Sequence, residues 1–271
     1  MRYFYFLIAI FVFTSCEDVV ELPLTEGPTR LVIDANINWE KGTAGSEQVI
    51  RLTKTVGFYE TEIPPANGAQ VVIKNSNSDE FEFFEDGTTG LYKTLNFVPV
   101  IGETYTLEIT YEGKTFTASE TLKPITNIKG VRQKVENIFG RDVIRVDFDY
   151  TDPINQENYY LGEFSSNAYL LNVYRTWSDE IINGNDDSVF EIDENLEKGK
   201  ELTLRFYGVS EAYHNYIALL LQQIESNGPF ATPPSELKGN CVNTNHPDDP
   251  DKKPLGYFRL SEFVTETYII E

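Results

Sequence analysis

Thr104-Tyr105-Thr106-Leu107-Glu108-Ile109-Thr110-Tyr111, then Glu112-Gly113, then Lys114-Thr115-Phe116-Thr117-Ala118, decides the fold class of this chain. Tyr105, Leu107, Ile109 and Tyr111 alternate with polar residues, which is the period of a half-buried strand. Glu112-Gly113 supplies a two-residue turn and the chain returns, so the passage reads as a β-hairpin. Upstream, residues 31–37, 48–55, 69–75, 80–84 and 91–95 are short runs of strand-forming residues bounded by turn residues. Seven such strands within about ninety residues predict a sandwich of immunoglobulin-like type.

Leu122-Lys123-Pro124-Ile125 marks a boundary, and beyond it the strands lengthen. Residues 131–135 and 143–150 alternate. In the second run Val143, Arg145, Asp147 and Asp149 fall on one side and Ile144, Val146, Phe148 and Tyr150 on the other. Residues 159–165 and 169–177 read as aromatic-rich strands, and 200–209 as another. One helix stands out. Ser210 is its N-cap, Tyr213, Ile217, Leu220, Leu221 and Ile224 form its apolar stripe, and Gly228-Pro229 ends it. Residues 256–260 and 264–270 read as final strands. The expectation is a mainly-β chain. A sandwich at 28–123 is followed by a second β-rich domain at 124–271 that carries one amphipathic helix near 210–226.

The first residues carry a different signal. Arg2 precedes an apolar stretch, and Thr14-Ser15 leads to Cys16. This is the pattern of a lipoprotein signal peptide over residues 1–15, with Cys16 as the acylated residue of the mature chain. The apolar stretch is well short of the ~20 residues that a spanning helix needs. Glu17, Asp18 and Glu21 make residues 16–27 an acidic tether. An acidic start after the cysteine resembles the export signal of surface lipoproteins in Bacteroidota, so Glu17 and Asp18 are read as that signal.

The chain carries 43 Asp+Glu against 22 Lys+Arg, a net charge of −21. Such a balance excludes nucleic acid as a partner and electrostatic docking on anionic lipid, so membrane attachment has to be covalent. With Cys16 acylated, Cys241 stands alone and no disulfide forms within the mature chain. In its Gly-Asn-Cys-Val-Asn setting Cys241 reads as a packing residue before it reads as a reactive thiol.

Catalytic patterns are missing. There is no His-Glu-x-x-His, Gly-x-Ser-x-Gly, P-loop or dinucleotide fingerprint, and the two histidines, His214 and His246, lie apart on the helix and in a loop. His214 reads as a solvated helix residue, and neither metal nor cofactor is expected. Asp186-Asp187 with Asp193, and Asp248-Asp249 with Asp251, offer oxygens of the kind that bind Ca²⁺. Both lack the EF-hand spacing and read better as solvated turns. Carboxylates are too numerous for a glycosidase-like pair to be singled out, so an acid-pair hydrolase is the enzyme-class alternative. Aromatic residues make up 13% of the chain, enough to line a platform. Tyr159, Tyr160, Tyr169, Tyr174 and Trp177 form the candidate partner or ligand surface, together with loops 183–187 and 240–253. The competing reading places half of these aromatics in strand cores.

Three groups of residues carry a resemblance. The first comprises Pro64-Pro65-Ala66-Asn67-Gly68-Ala69-Gln70-Val71-Val72-Ile73, Gly90-Leu91-Tyr92 and Gly102-Glu103-Thr104-Tyr105-Thr106-Leu107. The second comprises Tyr159-Tyr160 and Asn227-Gly228-Pro229-Phe230-Ala231. The third comprises Lys238-Gly239-Asn240-Cys241 and Leu255-Gly256-Tyr257-Phe258. In this order behind a lipobox they resemble a family of Bacteroidota outer-membrane lipoproteins known as a domain of unknown function, DUF 4249. The resemblance implies a lipid-anchored outer-membrane protein, of a family often encoded beside TonB-dependent receptors, and no catalytic residues. The resulting expectation is a non-enzymatic lipoprotein that faces the cell exterior and serves a TonB-dependent β-barrel receptor as an accessory or ligand-capture subunit. A structural or adhesive surface module is the alternative.

Overall fold

The hairpin read from the sequence forms as expected and seeds the first of two lobes. A computed structural model describes residues 27–180, 183–225 and 236–271. The first lobe holds β1 (Leu31–Glu40), β2 (Gln48–Lys54), β3 (Gln70–Lys74), β4 (Glu80–Glu85), β5 (Leu91–Thr94), β6 (Thr104–Tyr111) and β7 (Lys114–Thr121). At the β6–β7 turn Glu112 and Gly113 have φ of 48° and 73°, both left-handed, as a two-residue type I′ turn requires. The alternating residues Tyr105, Leu107, Ile109 and Tyr111 are all buried. Strands β1, β2, β5 and β4 make one layer. Strand β4 also serves the second layer, because Phe83 pairs with Val71 of β3 while Phe84 pairs with Lys93 of β5. The second layer continues through β6 and β7. Ile33, Ile37, Ile50 and Leu52 of the first layer meet Ile73, Leu107 and Ile109 of the second in one apolar core. The immunoglobulin-like sandwich is therefore present.

The second lobe holds β8 (Ile128–Ile138), β9 (Arg141–Thr151), β10 (Tyr159–Ser166), β11 (Val173–Ser178), β12 (Asp186–Asp193), β13 (Glu201–Val209) and the helix α1 (Glu211–Glu225). Strands β12, β9 and β8 form a separate three-stranded sheet. Its inner face presents Val146, Phe148 and Tyr150, the side expected from the alternation, to Tyr160, Phe164, Leu204 and Phe206 of β10 and β13. The helix covers the opposite face of β10 and β13, where Tyr213 and Ile217 pack on Leu161, Tyr207 and Val209. Ser210 caps α1, its Oγ accepting from the Tyr213 N–H at 3.2 Å. This part of the chain is thus three layers deep, and both faces of β10 are covered.

The chain end corrects the expected organisation. The two final strands are one strand, β15 (Leu255–Ile269), which serves both lobes. It pairs in parallel with β1 from Val32↔Leu255 to Glu40↔Phe263, then antiparallel with β13 from Tyr207↔Phe263 to Glu201↔Ile269. Just before it, β14 (Val242–Asn243) pairs with β7. Cys241, Phe258 and Leu260 sit in the core of the first lobe. The division at 28–123 and 124–271 therefore does not separate two self-contained units. The open side of β1 needs a partner strand, and a parallel partner can arrive only by a long connection, here the whole second lobe. Among the described residues no helix is long and apolar enough to cross a membrane.

Candidate functional site

Strand β11 is one end of the long sheet, since among the described residues its only neighbour is β10. Its side chains alternate between the two layers that flank it. Val173 and Trp177 pack toward the three-stranded sheet, and Tyr174 and Thr176 face the helix side. Trp177 stacks on Phe206 with centroids 5.7 Å apart and planes 11° from parallel, and its Nε1–H donates to the Tyr150 hydroxyl at 3.1 Å. Arg175 donates to both carboxylate oxygens of Glu191 on β12, at 3.0 and 3.3 Å. Burial pushes the Glu191 carboxyl above its ordinary range, and the guanidinium opposes that shift. On the other face the Thr176 hydroxyl donates to the Tyr160 carbonyl at 2.8 Å and lies 2.7 Å from His214 Nδ1. His214 also packs against the Tyr159 ring at 5.3 Å, and burial lowers its pKa. It is a half-buried link between α1 and β11, which corrects its reading as a solvated helix residue.

Alongside β11 runs an open groove of about 880 Å³. One wall is the C-terminal half of α1, through Ala218, Leu221 and Glu225, and the other is β12, through Asp187, Ser188 and Phe190. Trp177, Ser178 and Glu180 form the floor between them.

The five candidate aromatics do not share one surface. Tyr174 and Trp177 line the groove. Tyr160 is 2% exposed, sits in the core and donates its hydroxyl to Asp152. Tyr169 packs on that same core from the turn before β11. Tyr159 belongs to the packing between sheet and helix. Tyr160 is thus withdrawn as a surface residue because both faces of β10 are covered, and Tyr169 because its ring turns onto the same core. The sequence reading missed Phe190, the Arg175–Glu191 pair and the helix residues of the wall. The signal it passed over was Glu191, an acid on the same side of β12 as Val189.

The loops also divide. Residues 183–187 lead into β12 within the second lobe, whereas 240–253 return to the first, where the Thr244 N–H donates to the Thr115 carbonyl at 2.9 Å. The latter loop is therefore not part of the second-lobe surface. Asp186 is held by Lys129 at 2.8 Å, and Asp249 by Lys252 at 3.1 Å. Among the described residues no three His, Cys, Asp or Glu side chains gather as a metal site. Cys241 is buried, which pushes its thiol up to about 12, so the reactive-thiol reading falls. Cys16, Glu17 and Asp18 lie outside the described residues.

Comparison with protein families gives a match over residues 17–267 to a domain of unknown function, DUF4249. Comparison with curated proteins gives no match. Among solved structures the chain is similar to a segment of two fibronectin type-III domains from chicken tenascin, with 12% identity, 68% of this chain and 91% of that one covered, and a TM-score of 0.22. It is also similar to a DUF3823 family protein from Parabacteroides merdae, with 13% identity, coverage of 68% and 92%, and a TM-score of 0.22. A DUF4785 family protein from Legionella pneumophila has 11% identity, coverage of 66% and 52%, and a TM-score of 0.24. Likeness at that level carries no functional argument, and the strand pairing described above stands on its own.

Proposed function

The chain belongs to the DUF4249 family, and from that premise we propose that it is a non-enzymatic, lipid-anchored binding protein of the outer membrane, facing the cell exterior and working as an accessory or ligand-capture subunit of a TonB-dependent receptor. The observation that carries the binding role is the open groove between β11, β12 and α1, which is lined by Trp177, Phe190, Leu221 and rim carboxylates. Grooves of this size with apolar walls and a few polar groups are ordinary recognition sites. Two residues suited to nucleophilic or base chemistry are otherwise engaged, Cys241 in a core and His214 against Thr176 and Tyr159. The anchor rests on Cys16 and the sequence before it.

Pull-down from detergent-solubilised membranes tests the receptor role. A large β-barrel should co-purify with the wild-type chain, and its absence removes the receptor reading in favour of an adhesive module. Labelled palmitate tests the anchor, since incorporation should vanish in Cys16→Ala. Replacing Glu17 and Asp18 by Ala should leave labelling intact and abolish protease shaving of whole cells.

A further inference from the structure

We infer that the edge of β11, unpaired among the described residues, takes an extended, basic peptide segment of a partner protein as an added strand. This rests on the binding-protein reading and gives its groove an occupant. The hydrogen-bonding direction of each β11 residue follows from the ladder. The Asp179 N–H donates to the Asn158 carbonyl, and the register continues as Tyr159↔Ser178 and Tyr160↔Trp177. In an antiparallel pair such bonded residues recur at every second position. Trp177, Arg175 and Val173 therefore spend their backbone groups on β10, while Ser178, Thr176 and Tyr174 aim theirs outward along the groove. By the same rule, Asp152 and Asn185 are bonded, so the backbone groups of Ser188 and Phe190 face out from β12. An edge strand beside a helix, with apolar residues on the far wall, is the arrangement in which peptides bind by strand addition.

The other long edge of this lobe is blunted. Strand β8 carries Lys129, Arg132, Lys134 and Glu136, the charged dressing that keeps an edge from pairing. Strand β11 has a single charge, Arg175, and Glu191 engages it. Six residues of β11 accept a segment of similar length, roughly 20 Å. Charge chooses the occupant. Glu180, Asp187 and Glu225 line the groove with Arg175, so acids outnumber bases there. Arg175 is bound to Glu191 and also acts on Glu225, and Asp187 accepts from the Tyr150 hydroxyl at 3.3 Å, which leaves a net negative rim. The complement is a segment in which Lys or Arg alternates with apolar residues that face Leu221 on one side or Phe190 on the other.

The test uses the full-length chain in detergent and a fluorescently labelled peptide, Lys-Val-Lys-Val-Lys-Val-Lys, read by anisotropy. The acidic counterpart Glu-Val-Glu-Val-Glu-Val-Glu and an N-methylated basic peptide are the controls. Both should bind at least about tenfold more weakly than the basic peptide. Thr176→Pro removes an outward donor and leaves the β10 ladder intact, as edge strands allow. It should weaken binding by about tenfold or more, whereas Thr176→Val, which loses the same side-chain bonds and keeps the donor, should bind as the wild type does. Should Thr176→Pro fail to fold, the N-methylated peptide decides alone. Equal binding of all three peptides, no binding at all, or an unchanged affinity in folded Thr176→Pro overturns the inference. So does self-association of the chain that Thr176→Pro abolishes, since the edge would then serve a second copy. A barrel that co-purifies equally with wild type and Thr176→Pro would uphold the proposed function and sink only the strand-addition inference.

Discussion

The two lobes treat their sheet edges in opposite ways. In the first, β4 joins one layer to the other and β15 carries the sheet onward into β13, so among the described residues the only terminus on that side is β14, two residues long. In the second, the sheet stops at β11 with six residues, and the small sheet stops at β12 and β8 with eight and eleven. Short or covered edges are what a domain needs when stability is the only demand, because a free edge invites unwanted pairing. Leaving β11 long, nearly uncharged and beside a groove runs against that economy. The contrast is the one expected if the first lobe gives support and the second carries the proposed recognition role.

The largest expected effect strikes at the seam between them. A fragment of residues 28–123 lacks β15 along the whole of β1 and lacks Cys241, Phe258 and Leu260 from its core. It should show no cooperative thermal transition by circular dichroism, while the full chain should melt cooperatively. A sharp melt of the fragment would show that the first lobe closes its own edge, and the contrast with the second would lose half its basis.

Glycine substitution grades the same seam against the groove. Gly256 has φ of 91°, and a Cβ there would overlap the Ile33 backbone where β15 meets β1. Strain and overlap act together, so Gly256→Ala should cost about 3 kcal/mol in denaturant unfolding. At Gly162 of β10 a Cβ would stand 3.2 Å from the rings of Phe164 and Trp177, which are side chains that can shift. Gly162→Ala should cost about 1 kcal/mol and alter Trp177 emission. Equal costs would mean that the second lobe is as rigidly packed as the seam.

What the sequence makes legible follows the range of the interactions. The β6–β7 hairpin, the alternation of β9 and the Ser210-capped helix are set by neighbours in the chain, and all three are present. The pairing of β1 with β15 joins residues more than two hundred positions apart, and no local pattern announces it. Burial in β10 was equally hidden. Alternation reveals a strand's inner side only when its other side meets water, and Tyr159, Tyr160 and Leu161 have the helix on one side and a sheet on the other. For that reason an aromatic cluster looked like one surface when its members point into two cores and a groove.

An effect between those of the two glycine substitutions isolates the Arg175–Glu191 staple. Arg175→Met leaves Glu191, 1% exposed, without its cation. Loss of the charged hydrogen bonds should cost about 2 kcal/mol near neutral pH. The sign with pH is definite. Burial already raises the Glu191 pKa in the folded state, and removing Arg175 raises it further. The folded variant then binds a proton more tightly than the unfolded chain. Stability is therefore retained at low pH and lost as pH rises through the folded value. Urea titrations should find the deficit larger at pH 8 than at pH 5. A pH-independent deficit would mean that Arg175 serves packing alone, and the two edges would not be electrostatically coupled.

The smallest effect lies on the helix side of β11. Burial holds the His214 pKa below its ordinary value, so the folded state resists the proton that the unfolded chain accepts. Such a group contributes stability that is fully present above the unfolded pKa, about 6.5, and is lost as pH falls through the lower, folded one. His214→Gln keeps a side chain able to reach Thr176 and removes the titration. The wild type should therefore lose more stability than His214→Gln between pH 7 and pH 5, by less than about 1 kcal/mol, as seen in paired urea titrations. Because His214 meets Thr176, whose backbone faces the groove, protonation should loosen the helix wall more than the first lobe. Hydrogen exchange at pH 5 should accordingly rise in α1 and β11 and stay level in β6 and β7. Exchange that rises equally in both lobes would show that they open as one body, and the division between support and recognition would then have no dynamic counterpart.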